Sequence, residues 1–400
     1  MNNVFPTYEV GSLPKLNARV KAAKGQPVSG VDLEELRHYA QRLSIPCDAV
    51  IGLFERQNGE QRALTAEEKS IVTDFNSLFN LRLQEQLGLD FVYDGEARRT
   101  EMYHHVVRHV KGFELAPEMT RSRGPDSWRM GICIAPPSLK EGSLPALVTR
   151  EFDFATYHAA RPVKVPLDDP YMIAVMSDNR YYTELVKSQA PAASHPRQLR
   201  YEAKQMFTLA LAENVIRPQV QALVERGAQW IQLDVPAATL DLEHLPIMVA
   251  GINAVVAGIE NVKFSIHVCY PRRVSLTEKQ GYDLLFPHVL KLHPAVNHFS
   301  LELANADHYE QDLAVFKQHQ DQRRFEIGIG VVDITQEQQV LGRMETPEIV
   351  RQRILRAATV LGDPQLVFVA PDCGLRQLQL ERCIQLYETM VEGAALARKG

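Results

Sequence analysis

The sequence predicts a (β/α)8 barrel, the TIM-barrel α/β fold of parallel strands ringed by helices. Three observations carry that expectation. Apolar, β-branched runs recur along the chain, segments with helical spacing separate them, and no Gly-x-Gly-x-x-Gly follows a strand, which disfavours a doubly wound open sheet. The second half is the more regular, with strands expected at 230–236, 263–270, 298–304, 324–333 and 366–374. Helical segments fall between them at 245–259, 307–319 and 347–361. The first half adds strands at 8–13, 90–96 and 161–167, which brings the total to eight, and helices at 32–42, 65–87 and 200–225. Near-continuous apolar strands are what a sheet buried on both faces requires.

One stretch breaks the rhythm. Residues 112–157 are rich in Pro and Gly and read as an excursion between the second and third strands, and 188–196, with Pro191 and Pro196, reads as a loop. The whole of 1–400 is expected to form a single catalytic barrel domain. Apolar content of 45% and charged content of 23% are ordinary for a globular protein, and a net charge of -5 gives no electrostatic reason to expect nucleic acid. The longest apolar stretch, 245–259, is broken by Asn253 and two glycines and is too short to span a bilayer. The first residues show no basic segment followed by an apolar one, so no secretory signal is expected. Five cysteines is an odd, low number for this length, which argues against a disulfide framework and for a reducing cytoplasm. Cys47, Cys133 and Cys383 read as small apolar residues.

The chemistry concentrates at the expected strand ends. His267-Val268-Cys269 closes the apolar run Lys263-Phe264-Ser265-Ile266, and the period-two twist of a strand turns His267 and Cys269 the same way. Far downstream, Leu366 to Ala370 ends in Pro371-Asp372-Cys373-Gly374, so a further soft ligand ends another strand. An imidazole and two thiols brought together describe a zinc site. Zinc holding sulfur is a device for making a thiolate near neutral pH, because coordination deprotonates a thiol. Gly11 and Ser12 end the first strand, Glu96 the second, Asp234 the fourth, Glu302 the sixth and Asp333 the seventh. In a barrel these ends meet at one mouth, where such folds keep their active sites.

Several stretches together resemble a known family. They are Val10-Gly11-Ser12-Leu13-Pro14, Asp94-Gly95-Glu96-Ala97-Arg98-Arg99, Ile231-Gln232-Leu233-Asp234-Val235-Pro236, His267-Val268-Cys269-Tyr270, Ser300-Leu301-Glu302, Gly328 to Asp333, and Pro371-Asp372-Cys373-Gly374-Leu375. In this order they resemble the catalytic barrel of cobalamin-independent methionine synthase, in its short form without the additional N-terminal barrel. The resemblance implies that His267, Cys269, Glu302 and Cys373 hold a zinc ion. It implies that the backbone at Gly11 and Ser12 takes the carboxylate of homocysteine, and that Glu96 and Asp234 take its ammonium group. It implies methyl transfer to the zinc-bound sulfur of homocysteine, giving methionine.

Two departures from the family pattern bear on the donor. Where full-length enzymes usually carry a histidine, thought to protonate a folate leaving group, Asp333-Ile334 is followed by Thr335, and the family's Asp-Glu-Pro is Asp234-Val235-Pro236 here. A lost general acid is tolerable when the leaving group needs no proton, as with a methyl-corrinoid. The expected donor is therefore methylcobalamin or a corrinoid protein rather than methyltetrahydrofolate. Two other functions compete: a zinc alkyltransferase acting on another thiol such as coenzyme M, and a non-catalytic barrel that binds zinc or thiols. Glu96 and Asp234 favour an amino-acid thiol over a sulfonate. Asp372 is expected to orient a neighbour. His104, His105 and His109 read as a solvated helix face, and Arg98, Arg99, Arg272 and Arg273 as surface charges that could meet an anion at the mouth.

Overall fold

The computed structural model describes residues 4–99, 101–118, 121–123, 126–191, 193–270, 281–304, 306, 308–334 and 345–399. A six-stranded parallel sheet forms its centre. Its strands are β1 (Val165–Asp168), β2 (Trp230–Asp234), β3 (Lys263–Val268), β4 (Val296–Leu301), β5 (Glu326–Gly330) and β6 (Val367–Ala370). They pair in chain order, as short crossovers between parallel neighbours dictate. Helices Leu245–Val256, Tyr309–Gln318 and Pro347–Leu361 fill three of the crossovers, close to the expected spans. No helix among the described residues is long and apolar enough to cross a membrane.

The two edges of this sheet are linked by single parallel bridges, Val369 to Thr7, Tyr8 to Phe91 and Val92 to Val163. The strands expected at 8–13 and 90–96 are thus reduced to isolated bridges. Side chains have taken over the backbone groups a ladder would use. The Gln84 amide accepts from the Tyr93 N–H and donates to the Tyr93 carbonyl, while Asn80 donates to the Asp94 carbonyl. Asp90 accepts from both the N–H and the hydroxyl of Thr7. Beyond these contacts the chain turns through Gly95 at φ 67° and Glu96 at φ 57°, a conformation no strand can hold.

Alternation sorts the central side chains. Tyr8 donates to Ser300 at 2.8 Å, Trp230 to Ser265 at 2.8 Å, and the Lys164 ammonium to Gln232 at 3.0 Å and the Val10 carbonyl at 2.8 Å. These residues share one face, whose interior is polar and joined by these hydrogen bonds. Ile231, Leu233, Phe264, Ile266, Phe299, Ile327 and Val367 lie in the main apolar core, all fully buried.

Elsewhere the fold adds detail to the expectation in three places. In the 112–157 excursion, Val110–Leu115 pairs antiparallel with Gly131–Leu139, and helix Arg150–His158 follows. The 200–225 helix is split into Pro196–Leu211 and Arg217–Glu225 by one wider turn, Ala212–Ile216. Pro218 explains the break, because its ring clashes with the preceding turn and it has no N–H to donate. Helices Asn17–Ala23, Asp48–Glu60 and Leu380–Ala397 were not foreseen. With Gly30–Arg42 and Ala66–Leu87 they build a second apolar core around Leu36, Leu53, Phe54, Phe79 and Ile384.

Candidate functional site

The site is laid out by strand register. Asp168, Asp234, His267 and Ser300 are successive partners across β1, β2, β3 and β4, so they form one row on the polar face at the carboxyl ends of the strands. Cys269 follows His267 by two residues and Glu302 follows Ser300 by two, so both continue on that face. Cys373 arrives from the turn after β6. One ligand atom from each of His267, Cys269, Glu302 and Cys373 lies within 4.8 Å of the others.

Each of these groups is held in place. The His267 Nδ1 faces the Ser300 carbonyl at 3.1 Å, which makes that nitrogen a donor and turns Nε2 toward the Cys269 sulfur, 3.8 Å away. Tyr270 N–H donates to the Glu302 carboxylate at 3.1 Å. The Tyr282 hydroxyl accepts from the Glu302 N–H at 2.9 Å and donates to the Val268 carbonyl at 2.9 Å, tying the backbones of two ligand-bearing segments together. Asp372 accepts from the N–H groups of Leu303 and Ala304, both at 2.8 Å, so it orients the chain after Glu302. Only glycine fits beneath it, because a Cβ at Gly330 would lie 2.0 Å from the Asp372 carboxylate.

The electrostatics favour one thiolate. A hydrogen bond from Cys269 and the neighbouring His267 imidazole hold the Cys373 thiol well below its ordinary range against the opposing effect of burial. Cys269, which supplies that hydrogen bond, is pushed up in turn, and burial adds to the shift. Two sulfurs, one imidazole nitrogen and one carboxylate oxygen form a donor set suited to zinc, and their convergence within one small volume fits such an ion.

The carboxylates expected beside this centre are present and buried. Glu96 is 4% exposed and Asp234 7%. Gln232 donates to Asp234 at 2.7 Å, and burial pushes the Asp234 carboxyl up to about 6. A Cβ at Gly11 would lie 3.0 Å from the Glu96 carboxylate, so the bare backbone there is what lets Glu96 approach. The Ser12 carbonyl accepts from Leu375 N–H at 2.7 Å, which draws the first chain segment against the turn carrying Cys373.

Other expectations resolve differently. Arg98 and Arg99 are not surface charges: Arg98 pairs with Asp74 at 2.5 Å, and Arg99, 4% exposed, pairs with Glu151 at 2.6 Å and donates to the Pro166 carbonyl at 2.8 Å. Of the three histidines, His105 is buried and faces the Leu147 carbonyl at 3.2 Å, and His109 faces the His105 carbonyl at 2.8 Å. Their helix is therefore not a simple solvated face. Arg272, Arg273 and Thr335 lie outside the described residues. Sequence reasoning missed Tyr282 and Asp168. The Asp168-Asp169-Pro170 stretch at a strand end was the available signal for the second.

Comparison with known proteins agrees with this geometry. Residues 54–396 match the family described as cobalamin-independent synthase, catalytic domain. The methionine synthase of Pyrococcus furiosus is 30% identical over 324 residues, spanning 81% of this chain and 82% of the relative. That of Sulfurisphaera tokodaii is 28% identical over 400 residues, spanning 99% of this chain and 93% of the relative. The structure of a B12-independent methionine synthase from Shewanella sp. W3-18-1, in complex with selenomethionine, superposes with a TM-score of 0.70 at 18% identity over 99% of this chain and 98% of that one, a likeness of fold. This chain belongs to the cobalamin-independent methionine synthase family, and it is a methyltransferase of the methionine synthase type.

Proposed function

We propose that the chain is a closed (β/α)8 barrel working as one catalytic unit, which transfers a methyl group to the sulfur of homocysteine and releases methionine. The observation that carries this reading is the convergence of His267, Cys269, Glu302 and Cys373 beside the buried carboxylates of Glu96 and Asp234. Closure of the barrel is supported by the three bridges that join the sheet edges.

In this reading His267, Cys269, Glu302 and Cys373 hold zinc, which when bound makes a thiol a thiolate near neutral pH. Glu96 and Asp234 take the ammonium group of the substrate, and the backbone N–H groups at Gly11 and Ser12 take its carboxylate. Held at both ends, the amino acid presents its thiol toward the two cysteines. Positioning of this kind removes much of the entropy cost of bringing sulfur and methyl carbon together. The bond that forms is sulfur to methyl carbon, and the bond that breaks joins that carbon to the donor. The selenomethionine bound to the Shewanella relative supports an amino-acid product here.

The family's description as cobalamin-independent favours methyltetrahydrofolate over the corrinoid expected from the residues after Asp333. Methionine formation from homocysteine, with methyltetrahydrofolate and methylcobalamin offered in parallel to zinc-loaded protein, tests both points. Methionine from the folate donor, lost in Cys373→Ser together with the bound zinc, is the expected result. Methionine from methylcobalamin alone would reverse the choice of donor, and none from either would overturn the reaction.

A further inference from the structure

We propose that Asp168 is a third substrate-binding carboxylate, completing with Glu96 and Asp234 a cradle that selects thiols carrying a cationic amine. The inference rests on the homocysteine reading above and deepens it.

The geometry begins with the register. Asp168 is the strand partner of Asp234, which is in turn the partner of His267, so all three project to the same face at the same level. Asp168 stands one strand further from the metal-ligand group than Asp234, as a group meeting the amine end of a substrate should. It is 4% exposed, and its Oδ1 is sealed from solvent without any hydrogen-bond partner. The neighbouring carboxylates differ from it: Asp234 receives Gln232 at 2.7 Å, and Glu96 lies 3.6 Å from the Arg99 guanidinium. A buried acceptor left without a donor costs free energy, and such groups in native proteins call for an explanation.

A ligand cation supplies one. An ammonium group carries three N–H donors and no acceptor, so three carboxylates around it satisfy it completely. Burial raises the Asp168 carboxyl well above the ordinary range, and the charges of Glu101, Asp234 and Glu96 add to the effect while Arg99 opposes it. A positive group placed among these carboxyls would favour their ionised form. Arg99 turns one terminal nitrogen to Glu151 and the Pro166 carbonyl, and its guanidinium leaves the Asp168 Oδ1 without a hydrogen bond.

The test separates this residue from the wider reading. L-Methionine and 4-(methylsulfanyl)butanoate, the same molecule without its amine, are titrated calorimetrically into zinc-loaded wild type, Asp168→Asn and Asp168→Ala, with Tm recorded for each. The expected result is that wild type prefers methionine and that both variants lose about tenfold or more in methionine affinity, with the amine-free analogue nearly unaffected. The Tm of Asp168→Ala should hold or rise, since that change removes the unsatisfied buried oxygen, and the isosteric Asp168→Asn should keep the fold. Unchanged methionine affinity, or equal losses for both ligands with a lowered Tm, would overturn the role of Asp168 alone. Failure of wild type to bind methionine at all would overturn the homocysteine reading and this inference with it.

Discussion

Tyr282 shows how much of a site rests on residues that never touch a ligand. Its hydroxyl satisfies the Glu302 N–H and the Val268 carbonyl at once, and its ring is fully buried. Tyr282→Phe would leave two buried backbone groups unpaired, at about 1–3 kcal/mol each. It should also weaken metal affinity about 10–100-fold, the usual cost of losing a group that orients ligands. Zinc competition with a chromophoric chelator measures this, and affinity equal to wild type would show that packing alone holds the two segments. At this scale the convergence of His267, Cys269 and Cys373 was legible because donor chemistry is written in residue type and in an i, i+2 spacing. Tyr282 was not, because its role depends on which backbone groups a fold leaves unpaired. Arg99 misled for the same reason: a charge next to a charge reads as surface until Glu151 arrives from elsewhere in the chain.

Helix Ala66–Leu87 is the element whose sequence and structure agree most closely. Thr65 accepts from the Glu68 N–H at 3.2 Å and Glu68 accepts from the Thr65 N–H at 2.9 Å, a reciprocal cap that the Thr-x-x-Glu spacing announces. The helix then stops at Gly88, whose φ of 90° suits only glycine. Thr65→Ala should cost about 1 kcal/mol, seen as a lowered urea midpoint at unchanged slope. No change would mean that packing of the helix on the second apolar core overrides its cap. The central strands were legible by the same local logic, since continuous apolar runs fix their existence and alternation fixes their faces. The segment at 90–96 failed it because Gln84 and Asn80 meet the backbone needs of Tyr93 and Asp94 from outside any ladder, and that at 8–13 because Lys164 and Gln232 take the Val10 carbonyl.

Glu9 is a property of the whole molecule rather than of its strand. Its carboxylate is 1% exposed, both oxygens lack a hydrogen-bond partner, and burial pushes its pKa from 4.5 up to about 8. Lys164 opposes that shift, while Glu96, Asp234 and Asp94 reinforce it, so groups from several elements set one titration. The fold favours the protonated form. Its stabilising contribution is therefore complete below 4.5 and is lost as pH rises through about 8. Glu9→Gln should raise Tm at pH 9 by more than it does at pH 5, followed by circular dichroism across that range. An equal effect at both would show that Glu9 does not titrate within it. By itself the sequence determined the parallel α/β class, the thiol and imidazole groups that converge and the strand ends that carry them, because hydrophobic period and donor chemistry are local properties. Only the tertiary structure decided which segments pair fully, which charges are neutralised, and that Glu9 and Asp168 each keep a buried oxygen without a partner. Those outcomes depend on contacts between residues far apart in the chain, and no local pattern encodes them.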